Sequence, residues 1–277
     1  MARLTTTDGA AAWVDRVGVA LLYPSPDYVL PSLWEAVAGR VEIEWAIREA
    51  DGKFVSFTPE MEKVWRWKDE LPAGKLACVG LHVARTSSLV APRLVAPLFS
   101  LAGRSSALDD FGDVEGLEHA LAQASLEMGR PATRRELRLL VGADKRLGDR
   151  AINALQRKLV LTNAGRSDEE SGWGSTLHDL FARRWRAKLR RLPERERALA
   201  SLAEAVLVGT QDVSAADLAA ALRIRRREAS DTLERLEARG RATRRDEEGI
   251  AVWATGPASA RPGAGRAQNA RSRPPLA

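Results

Sequence analysis

Residues 133–162 read TRRELRLLVGADKRLGDRAINALQRKLVLT, and residues 214–244 read SAADLAAALRIRRREASDTLERLEARGRATR. With Gly129 set against Gly209, an offset of about 81 residues keeps the two stretches in step, and such internal repetition constrains any fold assignment. Thr133 and Glu136 match Ser214 and Asp217, each pair at the spacing of a capping box, in which a hydroxyl and a carboxylate satisfy the first backbone N–H groups of a helix. Leu137, Ile152 and Leu155 fall on Leu218, Leu233 and Leu236, so the core positions repeat along with the caps. Each copy predicts a helix (114–128; 194–208), a short second helix (134–141; 215–222), a tight turn and a third helix (144–158; 226–239). A strand follows, LVLT (159–162) or RATR (241–244), then a glycine-bearing loop and a second strand, which in the second copy is IAVWA after Glu248 and Gly249. Three helices closed by a two-stranded wing describe a winged helix, a helix-turn-helix variant.

The hundred residues upstream read as mixed α/β. Residues 9–22 suit a helix after an Asp8 cap, Pro31 opens a short helix through Val37, and VEIEWAI (41–47) alternates like a half-buried strand. Asp51 and Gly52 turn the chain into KFVSFT (53–58), a hairpin. Pro59 starts a helix carrying WRWKDELP (65–72), KLACVGLHVA (75–84) reads as a strand, and Leu94, Leu98 and Leu101 mark a short helix ending at Gly103. The polar stretch RSSALDDFGD (104–113) is the expected boundary. The fold class is therefore α+β: an N-terminal α/β domain (1–104), two tandem winged helices (113–192 and 193–256) and a tail (257–277). The tail carries four arginines and no acid among Pro, Gly and Ala, so it is expected to be disordered and dispensable for folding.

With 277 residues and 45% hydrophobic content the chain can bury a core, and it has no apolar run of membrane-spanning length. The first residues lack the apolar stretch of a secretory leader, so a cytoplasmic location is expected. One cysteine, Cys78, excludes an internal disulfide, and three scattered histidines do not make the usual zinc sites. The glycine-rich, zinc-protease and esterase signatures are missing, and no cofactor is implied. Net charge is +6, unevenly distributed. Residues 1–100 hold 11 basic side chains against 12 acids, whereas residues 130–158 hold nine against three and residues 223–245 nine against four. Positive potential is local to the second half, which points to a polyanionic partner.

On a wheel of about 100° per residue, Gly148, Ile152 and Leu155 of the first third helix form a buried stripe, and Arg146, Arg150, Asn153 and Arg157 face the opposite way. Arginine pairs bidentately with guanine or phosphate and asparagine with adenine, so this face suits a recognition helix in the major groove. Lys145, with Arg134, Arg135 and Arg138 on the preceding helix, is placed to hold the flanking backbone. In the second copy the outward residues are Arg227, Asp231, Glu234 and Ala238; carboxylates repel phosphates. That winged helix is therefore expected to pack against another domain or protomer, with Arg244 and Arg245 by its wing touching a backbone from the side. Arg183 and Arg184, in FARRWRAKLRR (181–191), precede Trp185, which stands between arginines and reads as a core anchor. Asp69 and Glu70 adjoin Trp65 and Trp67, and a carboxylate in an apolar cleft can serve acid/base chemistry.

The stretches ELRLLVGADKRLGDRAINALQRKLVLTNAG (136–165) and GWGSTLHDLFARRW (172–185) resemble the AlkZ-like (YcaQ-type) group of winged-helix proteins, as do, more loosely, WRWKDELP and residues 76–103. The resemblance covers about two thirds of the chain in layout. It implies tandem winged helices around a DNA-binding concavity, and the group includes bacterial DNA glycosylases acting on alkylated or crosslinked bases. Their Gln-x-Gln or Gln-x-Asp catalytic motif has no counterpart here, because Gln123, Gln156, Gln211 and Gln268 each stand alone. Double-stranded DNA is thus the expected partner, with no membrane. A glycosylase-like repair protein, in which Asp69 and Glu70 are the candidate catalytic residues, stands beside a non-catalytic transcriptional regulator as the alternative.

Overall fold

The computed structural model describes residues 3–49, 53–167 and 174–256. The tail, the Asp51-Gly52 turn and the Gly172-Trp173 pair lie outside the described residues. Helix α1 (Thr7–Val17) is capped by the Thr6 hydroxyl, which accepts from Gly9 N, and it stops at Gly18, where φ is 78°. The sequence pattern carried this helix on to residue 22, but the positive φ at the glycine ends it and the next residues form β1 (Val19–Leu21), buried throughout. An unbroken apolar run fits a buried strand as well as a helix, so periodicity alone does not separate them.

Helix α2 (Leu33–Ala38) begins at Ser32, two residues into the expected span, because Ser32 and Glu35 form a capping box. Strands β2 (Ala46–Arg48) and β3 (Phe54–Phe57) make the expected antiparallel hairpin, although only the end of the alternating run joins it. Helix α3 (Pro59–Ala73) follows, capped by Thr58. Strands β4 (Cys78–Gly80) and β5 (Ser88–Val90) complete an antiparallel sheet in the order β1-β5-β4. The central strand, β5, has three residues, too few to display an alternation. Helix α4 (Val95–Leu101) closes this part.

The repeated segments fold alike. The first contains α5 (Gly116–Met128), β6 (Ala132–Thr133), α6 (Arg134–Leu140), α7 (Lys145–Arg157), β7 (Leu161–Arg166) and β8 (Thr176–Leu180), with an antiparallel sheet ordered β6-β8-β7. A short helix, α8 (Phe181–Arg184), leads on to the second, which contains α9 (Arg195–Gly209), β9 (Val213–Ser214), α10 (Ala215–Leu222), α11 (Arg226–Ala238), β10 (Ala242–Glu247) and β11 (Ile250–Thr255). Its sheet is ordered β10-β11-β9, again antiparallel. Both expected capping boxes, Thr133 with Glu136 and Ser214 with Asp217, are formed.

Two hydrophobic cores hold the chain. The first repeat closes its own, from Leu121, Leu137, Ile152, Leu155, Leu161 and Leu180. The other is shared by distant segments: Trp13, Leu33, Trp34, Trp67 and Phe99 lie in one cluster with Leu199, Leu202, Leu218, Leu233 and Trp253. Gly18 admits α9 here, since a Cβ on it would stand 2.7 Å from Ala205 Cβ. The second repeat thus packs on the N-terminal segment through α9, while the acidic face of α11, with Asp231 and Glu234, stays exposed.

Helix α3 turns Met61, Val64, Trp67 and Leu71 inward. Helical spacing alone sets Trp65 on the face of Met61 and Val64 and turns Trp67 elsewhere; the structure instead buries Trp67 completely and leaves Trp65 half-buried against Phe57, ring centroids 6.1 Å apart. Cys78 is fully buried, and burial pushes its thiol up to about 12. In the native protein it should resist a thiol reagent that labels it fully after denaturation; rapid native labelling would contradict this.

Candidate nucleic-acid interface

The basic surface is organised by α7. Asp144 caps it, its carboxylate accepting from Leu147 N at 3.0 Å. Gly148, Ala151, Ile152 and Leu155 are buried, and Gly148 is required by packing, because a Cβ there would meet the Arg138 side chain at 2.5 Å. Lys145, Arg146 and Arg150 are exposed, as is Arg135 on α6, and among the described residues no hydrogen bond or ion pair holds any of the four.

The other candidate residues of this region are engaged within the protein. Asp149 pairs with Arg138 and lies 4.0 Å from Arg134. Arg134 donates to Asn153 Oδ1 at 2.7 Å and to His178 Nε2 at 3.3 Å. These contacts lock α6 against α7 and set the angle of the exposed face; they also take Asn153 away from the open surface. Burial pulls the Arg134 pKa down, with Asp149 opposing. His178 is buried and held neutral, its pKa lowered to about 3 first by burial and then by the charges of Arg134 and Lys68, so its Nε2 can accept from Arg134. Arg157 is half-buried, with a buried Nε that has no partner.

Arg183 and Arg184 serve the interior. Arg183 pairs with Asp179 at 2.6 Å and donates to Ser125 O at 3.0 Å, while Arg184 donates to the carbonyls of Pro72 and Ala73, the open C-terminal end of α3. Trp185, which follows them directly, is buried, as its reading as a core anchor expects. On the β10–β11 hairpin Arg245 pairs with Asp212, and Arg244 is exposed over the Trp253 ring at 5.5 Å. Sequence reasoning assigned no role to Leu139, Leu140 and Leu147, which stand exposed beside the free cations. Their position around the turn between α6 and α7 breaks the apolar stripe of either helix, a local signal that the wheel contains.

Asp69 and Glu70 are consecutive on α3, but their side chains enter different surroundings. Asp69 is buried beside Lys68 Nζ at 2.9 Å and accepts from Thr176 Oγ1 at 3.4 Å; Lys68 in turn lies 4.7 Å over the Trp65 ring. Glu70 is exposed, accepts from Thr7 Oγ1 at 2.7 Å and pairs with Arg66 at 3.4 Å. The structure therefore does not bring them together as an acid/base pair. Among the described residues no group of three or more His, Cys, Asp or Glu side chains is arranged to hold a metal, and no helix is long and apolar enough to cross a membrane.

Among solved structures, the Streptomyces sahachiroi DNA glycosylase AlkZ superposes on 89% of this chain with a TM-score of 0.54 at 15% identity. The chain spans 64% of that protein's length. A second structure, the DIP2311 protein from Corynebacterium diphtheriae, aligns over 73% of this chain and 40% of its own at 16% identity, with a TM-score of 0.21. No curated protein matches the chain. The sequence profile of the AlkZ-related family matches residues 4–223, about four fifths of its length, and the chain belongs to that family.

Proposed function

We propose that this protein binds double-stranded DNA through the exposed face of α7 and acts in the recognition of damaged DNA. The observation that carries the reading is the division of charge on the first repeat. Arg135, Lys145, Arg146 and Arg150 are unpaired and exposed, while Arg130, Arg134, Arg138 and Lys158 around them are held by carboxylates. Unpaired cations on one rigid helix face release condensed counterions when they meet phosphates. The helix order and antiparallel wing of each repeat fit a winged helix, giving domains at 113–192 and 193–256, with α7 as the groove-reading element. Kinship with a protein described as a DNA glycosylase supports damaged DNA as the substrate class. A cytoplasmic location is part of the same proposal and agrees with the lack of any membrane-spanning helix among the described residues.

Binding without base excision is the second reading, and the ion pairs of Asp69 with Lys68 and of Glu70 with Arg66 favour it, since neither carboxylate is free to activate water. An abasic-site assay on alkylated and crosslinked duplexes separates the two. Abasic sites that form with the wild type and disappear in an Asp69→Asn variant that still binds duplex establish excision. Binding with no abasic product establishes the alternative.

A further inference from the structure

Three arginines from three parts of the chain meet at the C-terminal end of α7. The loop between β4 and β5 is tied to that end by Leu81 N donating to Gln156 Oε1 at 3.2 Å and by His82 Nδ1 against Gln156 O at 2.9 Å. The same loop is tied to α10, with Ala84 N donating to Ala221 O at 2.9 Å. Arg223, just past α10, closes the ring by donating from Nη1 to Arg157 O at 2.8 Å. Arg85, Arg157 and Arg223 are brought together by this circuit of backbone and side-chain bonds.

The cluster is electrostatically unfavourable as it stands. After burial, the charges of Arg85 and Arg157 are what pull the Arg223 pKa down, and among the described residues no carboxylate pairs with any of the three. The buried Nε of Arg157 has no partner. Arg85 and Arg223 both sit at positive φ, 50° and 59°, a conformation that glycine adopts at less cost. Side chains kept at strained positions, where they repel one another, fit a site that a ligand completes. Tyr28 also lies close enough to act on Arg223, and its hydroxyl is a further donor.

We infer that Arg85, Arg157 and Arg223 form a binding site for a phosphate-type oxyanion, filled by a phosphodiester of duplex DNA that runs past the end of α7. Three planar guanidiniums held in one neighbourhood offer several N–H forks to the oxygens of a phosphate. Only the source of the phosphate rests on the DNA-binding reading.

The test uses the full chain, with Arg85→Gln as the variant, because Arg85 is exposed and its replacement keeps the backbone constraint. Anisotropy of a labelled undamaged duplex over a salt series should show a log–log slope smaller by about 0.9 and affinity about fivefold lower near physiological salt. In a second arm, inorganic phosphate at constant ionic strength should raise the melting temperature of the wild type and of the Arg146→Ala/Arg150→Ala variant, but not of Arg85→Gln. Without phosphate and at low salt, Arg85→Gln should melt no lower than wild type, since a repulsive charge is gone; a lower melting temperature would make the arginine structural. If the wild type binds no duplex while the phosphate shift depends on Arg85, the oxyanion site stands with free phosphate as its source, and the DNA reading falls. An unchanged salt slope together with an unchanged phosphate shift in Arg85→Gln overturns the site and leaves the α7 face untouched.

Discussion

Duplex affinity of the Arg146→Ala/Arg150→Ala double variant is expected to fall by about 30-fold near physiological salt, because each unpaired guanidinium that meets a phosphate contributes about 1 kcal/mol through counterion release. The slope of log affinity against log salt should shrink by about 2 if both contact phosphate, and by less, with altered base preference, if they read guanine. Both side chains are exposed and unpaired, so circular dichroism should report an intact fold. Unchanged affinity and slope in the folded variant would remove the physical support for the α7 face. The matched change in the second repeat, Asp231→Ala with Glu234→Ala, should leave affinity alone if the acidic face of α11 lies away from the duplex, and raise it if the face lies near.

Mild acid should destabilise the protein steeply. His82 is buried, with Nδ1 on Gln156 O and Nε2 3.0 Å from Thr162 Oγ1, and burial lowers its pKa to about 4; His178 is lowered to about 3. The unfolded chain takes up both protons near the ordinary histidine value of about 6.5, whereas the folded chain does not. Folded stability from these residues is therefore fully present above that value and is lost as pH falls from it towards the folded pKa of each. At pH 5 the loss is roughly 2 kcal/mol per histidine, a large share of a typical domain's stability. Glu136 also has a lowered pKa, through the Thr133 backbone N–H, and it adds to the loss only below the carboxylate range. Thermal melting followed from pH 7.5 to 4.5 checks the effect. A melting temperature flat across that range would contradict the buried neutral histidines.

The repeat was legible because its signals are local. Thr133 and Glu136, or Ser214 and Asp217, declare a helix start within four residues, and the stripe of Ile152 and Leu155 declares its buried face. The sequence also separated the basic outward face of α7 from the acidic one of α11. What stayed hidden depends on partners far along the chain. Arg134 and Arg138 read as free cations until Asp149 and Asn153 are seen beside them, and Arg184 until the α3 carbonyls 111 and 112 residues away are seen. Trp67 is interior and Trp65 is not because β7, α2, α1 and β4 all pack on the helix, and a wheel centred on Met61, Val64 and Trp65 misjudges the buried direction by about a sixth of a turn. The three-residue strand β5 takes its identity from pairing with β1 and β4, which no window of sequence contains.

One core is built from both the early and the late parts of the chain, with the first repeat lying between them in sequence. On a ribosome, at about 5–20 residues per second, the apolar faces of α4 and α1 wait roughly 5–20 s and 10–40 s respectively for α9 to emerge and cover them. The first repeat can close its own core once residue 180 has been made, and so matures before the segment that precedes it. A chain halted ahead of residue 195 would carry one finished module beside an uncovered N-terminal surface. Such a nascent product is a substrate for chaperones and proteases, which links translational pausing in this stretch to the yield of the whole protein.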